Sequence, residues 1–333
     1  MSQRDSGYVL QEAYLPLPAG GDLTMWEPDL CVFHGNCDDG FGAAWAIWTR
    51  WPDVEFVPGV YGKPLPDVKG RNVLFVDFSA PYDVMVKASF EALSLVVIDH
   101  HKTAQEALSR LPPFKGTMES LEQCFAINRT QNTPAVAVWF DMEQSGAAMA
   151  WKFAHEPQTL PEMIRLIEDR DLWRFKYGER TKRFSAALRT YPMDFETWDW
   201  IAGNVGQLEK EGEVVLRAHR ANIEKFMKDA YEDEVAGHIV PIVNVPYHYA
   251  SDTAHALLEK YPKAPFAACW FRRGDGMIQW SLRSEDHRLD VSEIAKQLGG
   301  GGHRNAAGFQ HPAGDRACPF PVTRSQTGGC GLK

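Results

Sequence analysis

The chain has 333 residues, 44% hydrophobic and 24% charged, with a formal net charge of −9. This is the composition of a globular protein of about two domains, each large enough for its own core. It excludes a broad basic surface for non-specific duplex binding. It also excludes a membrane-spanning helix, since no apolar run approaches about 18 residues. Cys31, Cys37, Cys124, Cys269, Cys318 and Cys330 form no CxxC pair, so a zinc ribbon or disulfide framework is not expected. The opening residues, MSQRDSGYVLQEAYLPLPAG, have no basic stretch leading into an apolar one, and the expected location is cytoplasmic. The acidic balance does not exclude an anionic substrate, because bound metal ions can supply local positive charge.

Residues 1–29 are mixed, rich in Pro and Gly, and read as an irregular leader. Then come four β-rich runs: LCVFH (30–34), DVEFVPGVY (53–61), RNVLFVDF (71–78) and LSLVVIDH (93–100). Between them AAWAIWTRW, PYDVMVKASFEAL and, after the last, KTAQEALSRL carry helical periodicity. Apolar strands alternating with helices predict a doubly wound parallel sheet. From about Ser145 the chain turns mainly helical, with SGAAMAWKFAH opened by an N-capping serine and LPEMIRLIEDRDLWRF after it. Ile201, Val205, Leu208, Val215, Ile223, Phe226 and Ala230 recur at helical spacing, predicting one long helix across Gly212 that connects two domains. An ordinary core helix of the first domain is the alternative. A smaller α/β domain is expected from near Ala236: strand HIVPIVNV, helix SDTAHALLEKY, strands PFAACWF and GMIQWSLRS, helix DVSEIAKQL, a glycine loop and strand NAAGFQ. The expected division is a leader at 1–29, a sheet domain at 30–200, a connector at 201–235, the smaller domain at 236–313 and a disordered tail at 314–333.

Four segments carry titratable groups or glycines where strands end: His34-Gly-Asn-Cys-Asp-Asp-Gly40, Asp77, Asp99-His100-His101 and Gly299-Gly-Gly-Gly-His303. Functional groups of parallel sheets gather at the carboxyl ends of strands. Phosphate chemistry with hard cations needs several oxygen and nitrogen ligands converging on two metals. Asp77 has two carboxylate oxygens and can bridge two ions, although helix capping is an alternative role. The first turn offers His34, Asp38 and Asp39, with Gly40 and Gly42 permitting close backbone approach; here too an aspartate could simply cap the helix. A two-metal site needs roughly seven or eight protein ligands. That brings in Asp169 and Asp171 of IEDRDLW, otherwise a solvated helix end with Arg170 as counter-charge. Gly299, Gly300, Gly301 and Gly302 expose consecutive N–H groups that can form an anion-binding concavity, with His303 donating to a phosphate oxygen and Arg304 beside it. Arg283 and Ser284 are their expected companions. The eleven tryptophans include candidates for base stacking, but most belong to a core.

HGNCDDGFGAA, VDFS and IDHH, followed by GGGGHRNAAGF, resemble the DHH/DHHA1 phosphoesterases over residues 30 to 312. That superfamily includes nanoRNases, RecJ-like exonucleases and cyclic-dinucleotide phosphodiesterases, and family II pyrophosphatases share its catalytic domain. The resemblance implies an α/β DHH domain with a doubly wound parallel sheet, a helical connector and a smaller α/β DHHA1 domain. It implies two Mn²⁺ ions, with Mg²⁺ or Co²⁺ as alternatives. His34 would bind the first ion, Asp39 and His100 the second, and Asp77 both. Asp169 would complete the second ion's ligands, with Asp171 as the competing choice. Asp99 and His101 would orient ligands or donate a proton, and the DHHA1 domain, with His303, would grip the substrate. One departure stands out: the family spaces its first two aspartates as D-x-D, whereas Asp38 and Asp39 are neighbours. The remaining ligand of the first ion is then Asp38 or Asn36. The implied activity is hydrolysis of phosphodiesters in short oligonucleotides or dinucleotides. A RecJ-like single-strand exonuclease and a non-catalytic nucleotide sensor are the alternatives, and the GGGGH loop disfavours a pyrophosphatase. The expected partner is a short nucleic acid or nucleotide, not a membrane, and the oligomeric state stays open.

Overall fold

The computed structural model describes residues 26–313; the expected leader up to residue 25 and the tail from 314 lie outside the described residues. Five strands, β1 (Leu30–His34), β2 (Glu55–Gly59), β3 (Asn72–Val76), β4 (Ser94–Asp99) and β5 (Val136–Phe140), form a wholly parallel sheet in the order β2-β1-β3-β4-β5. Helices α1 (Asp38–Trp48), α2 (Tyr82–Glu91), α3 (Lys102–Leu108) and α4 (Met118–Thr130) link these strands. Successive strand residues point to opposite faces, so the sheet splits two cores. Cys31, Phe33, Leu74, Val76, Val96 and Ile98 join one, and Leu30, Val32, Val73, Phe75, Leu95 and Val97 the other. All six residues of β4 are buried, which explains its unbroken apolar run. Strand order reverses between β1 and β3, and a crevice outside their carboxyl ends is where such sheets bind ligands.

β5 and α4 go beyond the sequence reading. VAVWF is short, and α4 buries only Leu121, Cys124, Phe125 and Asn128, too few for a clear periodic signal. A capping box between Thr117 and Ser120 starts α4 instead.

The helical layer continues with α5 (Gly146–His155), α6 (Glu162–Asp171), α7 (Glu179–Leu188), α8 (Phe195–Gly203) and α9 (Val205–Phe226). The Ser145 side chain accepts from Ala148 N, as an N-cap should. The connector expected as one helix over 201–230 is instead broken at Asn204, whose φ of −130° and ψ of 28° are not helical. Gly203 and Asn204 together end one helix, and the side-chain amide of Asn204 donates to Trp200 O. Gly212 lies within α9 because α9 packs closely on α7: a Cβ there would stand 1.9 Å from the Arg183 carbonyl oxygen.

Residues 231–235, expected as part of the connector, form strand β6 (Tyr231–Val235). It turns through Ala236 and Gly237, both with positive φ (51° and 82°), into β7 (His238–Asn244). Two positive-φ residues suit the twist of a tight hairpin, and the hairpin pairs five residues of each strand. After α10 (Ala250–Lys260) come β8 (Ala267–Arg272), β9 (Met277–Arg283), α11 (Val291–Gln297), β10 (Gly301–His303) and β11 (Ala306–Pro312). The second sheet runs β10-β11-β9-β8-β7-β6. Val240, Ile242, Phe266, Trp280 and Phe309 form one of its cores, and Val243, Ala254, Leu257 and Cys269 the other.

The two sheets meet along a polar seam. Thr103 Oγ1 accepts from Gly302 N at 3.2 Å, Lys102 donates to Asp290 and Glu293 at 2.9 and 3.0 Å, and Lys296 donates to Glu106 at 2.8 Å. On the other flank Arg170 pairs with Asp252 at 2.9 Å, and His219 lies 2.9 Å from the same carboxylate. The partly exposed Lys102 and Lys296 pairs contribute little individually, on the order of 1 kcal/mol or less. No helix among the described residues is long and apolar enough to cross a membrane.

Candidate metal centre and active site

The carboxyl ends of β1, β3 and β4 deliver His34, Asp77 and Asp99-His100-His101 to one place, and α1 and α6 add Asp39 and Asp171. Asp77 follows the last residue of β3 with φ of 54°, a left-handed conformation that aspartate tolerates better than most residues. This turns the carboxylate so that its two oxygens face different groups. Oδ1 lies 3.0 Å from His100 Nε2, and Oδ2 lies 3.4 Å from His34 Nδ1. His100 Nε2 also stands 3.5 Å from Asp39 and 3.6 Å from Asp171. Ligand atoms of Asp39, His100 and Asp171 thus lie within 4.8 Å of one another, as do those of His34, Cys37 and Asp77. The result is two adjacent ligand sets with Asp77 between them.

The residues fit a pair of divalent cations. Both Asp77 oxygens, His34 Nδ1 and His100 Nδ1 are buried without a well-formed hydrogen bond. Leaving buried polar groups unpaired is costly, and three carboxylates in one buried space repel one another. Cations between the two sets would remove the repulsion and give the Asp77 oxygens partners.

The surroundings hold these groups in place. Asp39 accepts from Gly146 N at 2.6 Å and Ala147 N at 3.1 Å, so it caps α5 rather than its own helix. That contact requires a glycine: a Cβ on Gly146 would lie 2.4 Å from Asp77 Cβ. Asp99 is fully buried and accepts from His100 N, His101 N and Ser79 Oγ, while His101 Nδ1 lies 2.7 Å from its Oδ1. A carboxylate on Nδ1 turns the opposite ring nitrogen, Nε2, toward the site.

Electrostatics follow the packing. Burial, then the neighbouring charges of Asp171 and Asp77, holds the Asp39 carboxyl well above the usual range. Burial also raises Asp171, the more exposed of the two. Burial works against charge on Asp77, but the His100 and His34 rings facing its oxygens more than offset it and lower its pKa. Burial likewise opposes charge on His100, yet Asp77 and Asp171 push it up to about 10. A proton there balances the carboxylates as a cation would.

From the second sheet, His303 reaches into this centre. Its ring stacks on His101 with centroids 4.5 Å apart and lies 4.6 Å from His100. Burial and the two histidines push its pKa well below the usual value, so it is a neutral donor. Arg283 is anchored by Leu282 O and Ser251 Oγ, near enough to influence both His303 and Asp171.

Several expected site residues lie elsewhere. Asp169 is buried beneath the end of α6, where it accepts from Lys176 N, Tyr177 N and Thr181 Oγ1 and holds the following loop. Asp171 stands in the place expected for it. Asp38 turns away to Arg189, with Nε 3.2 Å from Oδ2. Asn36 is exposed at the tip of the turn with φ of 57°. Ser284 Oγ donates to Leu289 O, and the Arg304 guanidinium donates to the carbonyls of Asp286 and Arg288, so neither faces the centre. The glycine loop is more structured than an open nest. Gly300 N donates to Ala295 O, Gly302 N to Thr103, and Gly301 and Gly302 pair with β11. Cys37 is a group the sequence reading passes over, and its only sequence signal is that it precedes Asp39 by two.

Residues 244–317 match the DHHA1 domain family. That domain supplies His303 to the Asp99-His100-His101 centre. The DHHA1 match supports membership of the DHH/DHHA1 phosphoesterase superfamily. The chain is similar to an uncharacterized protein of Acanthamoeba polyphaga mimivirus, 29% identical over 331 residues, covering 92% of this chain and 72% of that protein. Among solved structures, a pGpG-specific phosphodiesterase, PggH, from Vibrio cholerae is 11% identical with a TM-score of 0.40, covering 86% of this chain and 94% of that one. An exopolyphosphatase-related protein from Bacteroides fragilis is 12% identical with a TM-score of 0.37, covering 85% and 87%. Likeness at this level says nothing about what this chain acts on.

Proposed function

We propose that this phosphoric ester hydrolase cleaves phosphodiester bonds of short oligonucleotides or dinucleotides at a centre of two divalent cations. The observation that carries the reading is Asp77, buried, with each carboxylate oxygen facing a different ligand set and neither hydrogen-bonded. His34 and Asp77 would hold one cation, and Asp39, Asp77, His100 and Asp171 the other. When bound, two such ions supply Lewis-acid polarisation of the phosphate and lower the pKa of an attacking water.

The chain's own residues do the rest. His303 and Arg283 hold the phosphate against the centre, the first as a neutral N–H donor and the second as a fixed charge. Asp99 keeps His101 oriented so that its Nε2 can pass a proton to the leaving oxygen. Asp39, held by α5, stays fixed as charge develops.

Short substrates suit the closed seam. Lys102, Lys296, Arg170 and Arg189, the basic residues along it, are already paired with carboxylates. A long single strand would need such groups free to follow its phosphates. The test is a substrate panel assayed with Mn²⁺ and after chelation: dinucleotides, cyclic dinucleotides, bisphosphonucleosides, longer single strands and pyrophosphate. Turnover should be metal-dependent, greatest on the shortest diesters, and abolished in Asp77→Ala that retains the wild-type circular dichroism. Binding without turnover under every metal would identify a sensor instead.

A further inference from the structure

The ligand set around His34 departs from oxygen and nitrogen chemistry. Cys37 occupies the N-cap position of α1 with extended backbone, φ −131° and ψ 134°, but makes no capping hydrogen bond through its side chain. Its Sγ lies within 4.8 Å of ligand atoms of both His34 and Asp77. Asp38, the carboxylate beside it, is engaged by Arg189. Asp77 is 1% exposed, and the oxygen it turns toward this side has no hydrogen-bond partner. The other described cysteines, Cys31, Cys124 and Cys269, are buried in apolar cores.

We propose that Cys37 is a thiolate ligand of the first cation, and that this position therefore takes a borderline-soft transition ion such as Zn²⁺, Fe²⁺ or Co²⁺ in preference to Mn²⁺ or Mg²⁺. Thiolate sulfur is a soft donor that favours these ions, whereas carboxylates suit the harder ones. A second position lined by Asp39, His100 and Asp171 keeps the oxygen-rich character that Mn²⁺ accepts, so the two positions differ in selectivity. Coordination forms the sulfur–metal bond, breaks the S–H bond and releases that proton to solvent. This inference rests on the two-cation reading above.

Cobalt reports sulfur ligation directly, because a thiolate bound to Co²⁺ gives an intense near-ultraviolet charge-transfer band that oxygen and nitrogen ligands do not. The full chain would be stripped with chelator and titrated with Co²⁺. The band should grow in the wild type and in Asp38→Ala, and be absent in Cys37→Ser and Cys37→Asp. First-site Co²⁺ affinity should fall about tenfold or more in Cys37→Ser, the scale on which metal sites respond to lost support. In competition titrations, Cys37→Asp should shift the first site toward Mn²⁺. Stoichiometric cobalt binding by the wild type without the band overturns the thiolate ligand and leaves the two-cation reading standing. A band that survives in Cys37→Ser overturns it as well. Failure of the wild type to bind cobalt at all overturns both, and because the wild type alone decides this outcome and the missing band, an unstable variant does not obscure them.

Discussion

His303, on the short strand β10 of the second sheet, stacks on His101 at the end of β4 with ring planes 22° from parallel. This contact joins the DHHA1 domain to the candidate cation centre and places a neutral imidazole over it. Replacing His303 with alanine would remove the proposed donor to the phosphate, a hydrogen bond to a charged group worth about 1.5–3 kcal/mol. His303→Ala should therefore raise KM by roughly 10–100-fold with a smaller fall in kcat. Steady-state kinetics on the best diester would check this, and unchanged values would remove His303 from substrate handling.

Asp169 and Asp171 make a paired test. Asp169→Asn loses a buried carboxylate that holds two backbone N–H groups and the Thr181 hydroxyl, so it should cost about 2–3 kcal/mol of stability. Asp171→Asn should leave thermal stability near wild type while metal affinity falls, because that carboxylate faces His100 near the edge of the centre. Denaturant unfolding alongside calorimetric metal titration would separate them. The opposite pattern would return the ligand role to Asp169.

Gly146 is the point where α5 comes within van der Waals distance of the centre. Alanine there would force Asp77 or the helix to shift, since no rotamer removes a Cβ. Gly146→Ala should cost about 1–3 kcal/mol of stability and weaken metal binding together. A variant with normal metal affinity would show that the helix can retreat without disturbing Asp77.

In metal-free protein the pH dependence has a definite sign. His100 is raised from 6.5 to about 10, so its stabilising contribution is fully present below about pH 6.5 and is lost as pH rises toward 10. Asp77 is lowered, so its contribution is present above about pH 4 and is lost only on stronger acidification. With chelator, the unfolding temperature should decline between pH 7 and 10, and His100→Gln should flatten that decline. Cation affinity should rise over the same interval, because the ion displaces the His100 proton. Equal slopes in the two proteins would show that His100 does not hold that proton.

The strand-end positions of His34, Asp77 and Asp99-His100-His101 were legible because unbroken apolar runs mark parallel strands, and parallel strands present their carboxyl ends on one side. The glycines before His303 likewise marked a turn into a packed strand. Side-chain direction was not legible. Asp169 and Asp171 differ by two residues on a helix, about 200° of rotation, so which one faces the centre depends on how α6 lies against α1 and β4. Cys37 and Asp38 are neighbours at a helix start, and Arg189, distant in sequence, draws Asp38 away. Ser284 and Arg304 were assigned to phosphate by residue type, but nearby carbonyls of their own domain engage them first. Local pattern therefore chose the elements and the chemistry they could carry. Long-range packing decided which donors converge, because a ligand set is a property of relative orientation, and no local spacing encodes that.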